Sequence, residues 1–597
     1  MMNSNLDSNN KYTHRNAAIK VKMCDFLSCC HSAKVANWPI FCIFVGGVFL
    51  QCVLFHYFAF HSIVLSSLWK TPFYFFAFYL PKLSIALLLG SFVFLFRRKY
   101  WTIYASVLIN LWILAEIIYY RSMHIFIDVY SFRLMSELNG FESSIGMYLD
   151  WNLLLFLIPM LLTIIGVLLF NNRNRSPHRF TVVLCVGIFC NVLTYQVHYQ
   201  YNDLKPMSKQ NRLLPMLYIC DMWGFNLMEV NSYYAQEFSV LHAAGFNIVA
   251  AFYKNGVTVT PTDKERLKSF LQESKQIDTP KRPLILVLVE SMESWVIQPS
   301  ITPNLCRFIG CHSIVQATKV KSQTKRGNSG DGQMIYNTGL LPIIQGVACM
   351  MYADDVFPSL SELYSSTALI QPGKLDVWNQ QAMNRAYHID TTYIVPSAFD
   401  HDVFNTLDTI CSIGQYDYIL VITIASHSPF VACSHFSSLS LPDDMPANMR
   451  NYLLCMNYTD SCWGDFLQRI DTDSVLHNSV VCFMGDHIIF DPIMRKEFQD
   501  YCDRAGLDYQ PQEAYTAFVA YSPDLTEKTT INEVTYQMDA YPTIRHLIGA
   551  DTYYWKGFGI DLSDTTHTMA RPINEQDAYI VSDKIIRANY FKDYFTK

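Results

Sequence analysis

The sequence predicts a membrane protein in two parts: an N-terminal domain of five transmembrane helices, then a C-terminal α/β domain with a mostly parallel central sheet. Three observations lead there. Of 597 residues, 51% are hydrophobic and only 16% are charged, too apolar for an ordinary soluble chain. The apolar excess lies almost wholly before residue 200, in runs of about 20 residues, the length that crosses a bilayer. Beyond residue 280 short β-branched runs alternate with helical stretches, as a sheet covered on both faces requires.

The expected spans are Trp38 to Ser62, Phe73 to Phe96, Trp101 to Tyr120, Trp151 to Phe170 and Phe180 to Val197. A long polar stretch precedes the first span, which is itself too long for a signal peptide, so none is expected to be cleaved. Lys11, Arg15, Lys20, Lys22 and Lys34 precede the first span, Arg97, Arg98 and Lys99 follow the second, and Arg173, Arg175 and Arg179 follow the fourth. The positive-inside rule puts these segments in the cytoplasm and everything after about residue 198 outside. The expected division is a cytoplasmic segment 1–37, a transmembrane domain 38–197, an extracytoplasmic juxtamembrane linker with helices 198–280, and a globular domain 281–597. In the linker, helices are expected around Tyr233 to Ala244 and in PTDKERLKSFLQES, capped by a Thr or Asp before Lys264.

Two ionisable residues interrupt the spans, Lys82 and Glu116. Charge in lipid is costly unless paired, so they are expected either to pair across neighbouring helices or, for Lys82, to snorkel. The segment RSMHIFIDVYSFRLMSELNGFESSIGMYLD between the third and fourth spans mixes apolar and acidic residues and predicts an interfacial helix.

A net charge of −6 without a basic stripe argues against a nucleic-acid partner. Seventeen cysteines show no paired CxxC spacing. Cys24, Cys29, Cys30 and His31 cluster on the cytoplasmic side and are read as thiols and a histidine, not a metal knuckle. Outside, Cys306 with Cys311 or Cys455 with Cys462 are candidate disulfides, although pairing does not follow from sequence.

In the globular domain three strands are expected: Leu284 to Val289, Tyr418 to Ile424 and Val480 to Met484. Each is followed at its carboxyl end by acidic or imidazole side chains: Glu290, His427, and Asp486 with His487. That edge of an α/β sheet is where ligands gather. In KSQTKRGNSGDGQMIYNTGLLP, Gly327 and Gly330 bracket Asn328 and Ser329 ahead of a helix-compatible run. A hydroxyl at the turn that opens a helix is exposed beside a terminus favouring negative charge. Ser329 is therefore a nucleophile candidate. With Glu290, Asp486 and His487 it makes a mixed oxygen and nitrogen shell suited to a divalent cation.

These residues resemble the lipoteichoic acid synthase type of membrane phosphoglycerol transferase, within the alkaline-phosphatase and sulfatase superfamily. The resemblance runs from the five spans to the closing domain. LVLVES places Glu290 where that family has its strand-end glutamate, and RGNSGDG places Ser329 at a position that is usually threonine. Gly485, Asp486 and His487 match its Gly-Asp-His triplet, and SHSPF gives His427 a phosphate-binding or proton-transfer role. ITPNLCRF, MNYTDSCWGDFL and QMDAYPTIRHLIGA follow in the family's order. In LIQPGKLDVWNQQ, Trp378 and Asn379 match its headgroup pocket, whereas Gln371 and Gln380 stand for its histidine and arginine. Arg385 is a candidate to supply the missing charge.

The resemblance implies an alkaline-phosphatase-like fold and a metal-dependent transferase of the cell membrane with its catalytic domain outside. Its catalytic residues would be Ser329 and His427. Glu290, Ser329, Asp486 and His487 would hold one divalent ion, Mn²⁺ foremost, with Zn²⁺ or Mg²⁺ as alternatives. His427, Trp378, Asn379 and Arg385 would bind substrate. The implied partners are a phospholipid donor, the membrane, and a glycan or glycolipid acceptor. Alternatives are a phosphoethanolamine transferase, a sulfatase or phosphodiesterase-type hydrolase on the same fold, and a non-catalytic binding or sensing protein. Threonine in a T-x-C-G-T context and the sulfatase C-x-P-S-R or S-x-P-x-R motifs are absent from GNSGDG.

Overall fold

The computed structural model describes residues 37–60, 72–96, 98–123, 126–127, 131, 148–170, 175–201, 234–252, 258–272, 280–344, 346–397, 399–430, 433–564, 566 and 569–592. The cytoplasmic segment with its Cys24, Cys29, Cys30 and His31, and most of the segment expected as an interfacial helix, lie outside these residues. The chain divides into two compact units. One comprises residues 1–129 and 145–253, the other residues 130–144 and 254–597. The stretch expected as a single linker is thus shared: Tyr234–Phe252 belongs to the first unit and Pro261–Phe270 to the second.

In the first unit the helices are α1 (Asn37–Phe60), α2 (Pro72–Ser91), α3 (Tyr100–Met123), α4 (Leu157–Leu169) and α5 (Pro177–Tyr201). Together with the short helical extensions of α2 and α4, they give five segments long and apolar enough to cross a membrane. The fourth opens as a 3₁₀ stretch, Trp151–Phe156, because the Asp150 carboxylate caps it by accepting from Leu153 N at 3.1 Å. Glycines let the helices close up. A Cβ on Gly90 would lie 2.3 Å from Val45 Cγ2, and one on Gly166 2.7 Å from Ile43 Cδ1.

Lys82 and Glu116 have partners other than each other. Lys82, fully buried, donates from Nζ to the carbonyls of Phe78 at 3.0 Å and Phe238 at 3.2 Å, with its ammonium 3.7 Å from the Phe78 ring centre. Glu116 accepts from Ile127 N at 2.9 Å. Phe238 closes a π-helical turn, Tyr234–Phe238, that leads into α6 (Val240–Phe252). The buried lysine therefore pins this segment to α2 through backbone carbonyls, and among the described residues it does not pair with Glu116.

The second unit opens with α7 (Pro261–Leu267). Thr260 Oγ1 accepts from Asp263 N at 3.2 Å while Asp263 accepts from Thr260 N at 2.9 Å, a reciprocal capping box. Eight strands follow: β1 (Leu284–Val289), β2 (Ile314–Lys321), β3 (Thr367–Pro372), β4 (Thr391–Val395), β5 (Tyr418–Ile422), β6 (Val480–Gly485), β7 (Tyr515–Tyr521) and β8 (Thr529–Tyr536). They form one sheet in the order β4-β3-β5-β1-β6-β7-β2-β8. The first five strands in that order are parallel, β7 runs antiparallel to both its neighbours, and β2 and β8 are parallel.

The central strand β1 is buried along its whole length. Leu284, Leu286 and Leu288 join the core on one face of the sheet, and Ile285, Val287 and Val289 the core on the other, which is why its sequence shows no polar alternation. The expected disulfides do not form. Cys306 and Cys311 share the helix Pro303–Cys311, and Cys455 and Cys462 share the helix Ala447–Cys462; all four are free thiols. At ~1.5 Å rise per residue, spacings of five and seven along one helix exceed the ~7 Å Cα reach of a disulfide.

Candidate active site

Val289 stands level with Gly485 across the β1–β6 pair. Glu290 and Asp486, each the next residue, therefore leave neighbouring parallel strands at the same height, and His487 follows. The bends that turn their side chains inward are fixed locally. Ser291 adopts a left-handed φ of 49°, donating from N to Asp486 Oδ1 and from Oγ to Glu290 Oε1, both at 2.8 Å. His487 N donates to Asp486 Oδ1 at 2.7 Å. Gly485 admits only hydrogen, since a Cβ there would lie 2.0 Å from Thr516 Oγ1 and 2.2 Å from Met292 O.

One potential ligand atom from each of Glu290, Asp486 and His487 lies within 4.8 Å of the others, and all three residues are buried. His487 Nε2 is 3.4 Å from Glu290 Oε1 and 3.6 Å from Asp486 Oδ2. Its Nδ1 is 2.9 Å from the Ile488 carbonyl. A carbonyl only accepts, so Nδ1 carries a hydrogen, and Nε2 is the nitrogen that faces the carboxylates and that would offer its lone pair to a metal once deprotonated. Burial first, and the Glu290 charge second, push the Asp486 carboxyl up to about 6. Burial opposes a charged His487, but Asp486 and Glu290 outweigh it and raise the imidazole. Two buried carboxylates facing a ring lone pair form a donor set that fits a divalent cation and lacks its charge.

Ser329 is the second residue of helix α8 (Asn328–Thr338), and its Oγ lies 3.4 Å from Glu290 Oε2. The turn before it is shaped by Asp331, whose Oδ2 accepts from Lys325 N at 2.8 Å and Gly327 N at 2.9 Å. A Cβ on Gly327 would meet Asp331 Oδ1 at 2.1 Å. Asn328 takes a φ of 40°, completing the turn that brings Ser329 to Glu290. Burial raises Asp331 to about 6, against those same amide bonds. One turn on, Gly332 packs so closely on the Gly-Asp-His turn that a Cβ would lie 2.6 Å from Asp486 O. Tyr336 OH then donates to Gly485 O at 2.9 Å. Asp331, Gly332 and Tyr336 thus fix the helix of Ser329 to the Asp486–His487 turn.

His427 lies on the loop after β5. Ser426 Oγ donates to Glu290 O at 2.5 Å and Thr423 Oγ1 accepts from Glu290 N at 2.9 Å, so this loop is stitched to the end of β1. His427 Nδ1 is 2.7 Å from Ser428 O and carries the hydrogen there.

A family model described as lipoteichoic acid synthase N-terminal domain matches residues 23–215, and one described as sulfatase matches residues 356–550. A lipoteichoic acid synthase-like protein of Bacillus subtilis is 22% identical over 334 residues, 52% of this chain and 54% of that protein. The lipoteichoic acid synthase of Staphylococcus saprophyticus is 22% identical over 325 residues, 50% of each. The chain thus carries a lipoteichoic acid synthase N-terminal domain followed by a sulfatase domain. It spans about half the length of the curated relatives it matches. Among solved structures, the lipoteichoic acid synthase LtaP of Listeria monocytogenes aligns with 20% identity and a TM-score of 0.45, covering 56% of this chain and 98% of that one.

In this lipoteichoic acid synthase-like chain the segment after β3 is built differently from what sequence suggested. Trp378 reaches the start of the nucleophile helix: a Cβ on Gly330 would sit 3.4 Å from its Cβ and Cγ. Trp378 and Asn379 both have left-handed φ, and Asn379 Nδ2 donates to Cys349 O at 2.9 Å. Gln380, standing at the family's arginine position, is buried and exchanges two hydrogen bonds with Gln333 of α8, at 3.0 and 3.1 Å, donating also to Asn384. Gln371 is buried and donates to Lys374 O at 2.7 Å.

Arg385 is not brought to the cluster. Its guanidinium is exposed, 3.7 Å from Asp354, and donates to Gln381 O. Sequence reasoning also missed Gln537, fully buried, which donates to Asp486 O at 2.8 Å. Its only signal was its place as the first residue of the QMDAYPT stretch.

Proposed function

We propose that the protein transfers a phospholipid headgroup, phosphoglycerol in type, to a hydroxyl of a cell-envelope glycan or glycolipid. The reading rests on Ser329 Oγ standing 3.4 Å from Glu290 inside the buried Glu290–Asp486–His487 cluster. A divalent ion held by Glu290, Asp486, His487 and Ser329, with Mn²⁺ first and Zn²⁺ or Mg²⁺ as alternatives, would acidify the serine hydroxyl and offset phosphoryl charge.

Ser329 Oγ bonds to the phosphorus of the donor phosphodiester as the bond from phosphorus to the diacylglycerol oxygen breaks. The serine proton passes to that oxygen, and diacylglycerol leaves as an alcohol. The headgroup phosphate stays on Ser329 as a phosphodiester. An acceptor hydroxyl then bonds to the phosphorus, its proton returns to Ser329 Oγ, and the serine is restored. His427 Nε2 carries the proton or binds phosphate. Trp378 and Asn379, just after β3, flank the headgroup. The five apolar helices hold the protein in the cell membrane with the catalytic unit outside, beside its lipid donor.

The test incubates the purified protein and a Ser329→Ala variant with phosphatidylglycerol or phosphatidylethanolamine, with and without Mn²⁺ or Zn²⁺. Diacylglycerol release by the parent alone supports the reading. Release from neither lipid sinks the donor assignment, and equal release by the variant removes Ser329 from its role.

A further inference from the structure

We infer that Asp400 is the positioning residue that holds His427 in register with Glu290; the catalytic part of this inference rests on the role proposed above for His427. After Ile422 the chain leaves β5, and its next amides lose their sheet partners. Buried amides need acceptors. Thr423 N still reaches Leu288 O at 3.0 Å, but Ile424 N and Ala425 N both donate to Asp400 Oδ1, at 2.8 and 3.2 Å. The second carboxylate oxygen, Oδ2, accepts from Thr459 Oγ1 at 2.7 Å. Asp400 and Thr459 are fully buried.

On its other side the same loop is fastened to β1, through Thr423 and Ser426 on the backbone of Glu290. His427 N closes the turn onto Ile424 O at 3.0 Å, and Phe430 N donates to His427 O at 2.9 Å. The imidazole thus sits at the end of a four-residue clamp with Glu290 on one jaw and Asp400 on the other. Without Asp400 the Glu290 jaw remains, but two buried amides lose their acceptor and the turn carrying His427 loses its register.

The experiment uses the full chain in detergent or lipid. Carbethoxylation of His427 by diethyl pyrocarbonate, followed by peptide mass spectrometry, is expected to change several-fold in Asp400→Ala and to stay at the parent rate in Asp400→Asn, whose Oδ1 still accepts both amides. Diacylglycerol release is expected to fall ~100-fold in Asp400→Ala, mainly in kcat, the scale of an ångström-level misplacement. Adding Asp400→Ala to His427→Ala is expected to cost nothing further, because both changes disable one unit. Stabilisation by Mn²⁺ is expected to be unchanged.

A parent-like carbethoxylation rate in Asp400→Ala, failure of Asp400→Asn to rescue, or multiplicative losses in the double variant would overturn the assignment. Thr459→Val, which removes only the bond to Oδ2, covers the case in which Asp400→Ala does not fold; a several-fold loss absent in the His427→Ala background is then expected, and an equal loss in both backgrounds overturns it. A parent that releases no diacylglycerol defeats the transferase reading, while the His427 modification arm still decides the role of Asp400.

Discussion

Two buried acids three residues apart are treated in opposite ways. Glu293 has no solvent exposure and is fully answered: it pairs with Arg495, takes the Trp295 indole N–H and the Ile489 amide at 2.7 Å each, and Arg495 in turn donates to Ile489 O and Pro511 O. Glu290 faces another carboxylate, Asp486, and the Nε2 edge of the His487 imidazole. The first arrangement is a closed ion pair that ties the loops after β1 and β6 together. In the second, two carboxylates converge without a matching guanidinium or ammonium, and a proton or a bound cation relieves their repulsion. Buried charge marks a site here where it is left uncompensated, and scaffolding where it is matched.

The contrast can be broken by mutation. The largest effect is expected for Ser329→Ala, which should lower headgroup release by at least ~10³-fold while the thermal shift caused by Mn²⁺ persists. Next comes the closed pair. Arg495→Met strands Glu293 without its cation and should destabilise the protein by about 3–5 kcal/mol in urea melts, equally with and without metal. Asp486→Asn should do the reverse: it removes a repulsion, leaves the metal-free melt at or above the parent's, and abolishes the Mn²⁺ shift. If Asp486→Asn behaves like Arg495→Met, the distinction between the two acids falls.

A pH series sharpens the same point. A carboxyl raised from its usual value near 4 to about 6, as Asp486 is, contributes stability that is complete below its unfolded pKa and lost as pH rises through the folded one. The metal-free protein should lose this stabilisation between about pH 4 and 6. Stabilisation by Mn²⁺ should grow over that interval as protons cease to compete, and a flat metal response from pH 5 to 7 would contradict the cluster as the binding site. The smallest effect is expected at Arg385, whose exposed contact with Asp354 is of the kind worth little. Arg385→Ala should keep donor KM within about twofold, and a larger rise would bring its guanidinium back into the headgroup pocket.

What sequence made legible follows from distance along the chain. β1, β5 and β6 stood out as short apolar runs, and the ligands stood out because each directly follows its strand. Ser329 was visible in a local glycine turn. The spans were visible from length and hydropathy. Gln380 was not readable, because a glutamine at a position expected to be cationic gives no sign that its partner is Gln333, 47 residues earlier. Nor was Asp400, whose acceptors' partners lie 24, 25 and 59 residues away. The Lys82 expectation failed for a related reason: hydropathy flags a charge but not the carbonyl of Phe238, 156 residues on. Expected disulfides failed because helical rise, not sequence proximity, sets the gap between cysteines.

The contact of Gly332 with the Asp486 peptide has a structural consequence. Because the Ser329 helix is seated directly on the Asp486–His487 turn, Ser329 and its three neighbours in the cluster form one packed block. The segment from Gln371 to Arg385 meets that block through Trp378 on Gly330 and the amide pair of Gln380 with Gln333. Under the function proposed above, changes in that stretch would alter the headgroup pocket while leaving the serine and its cluster in place.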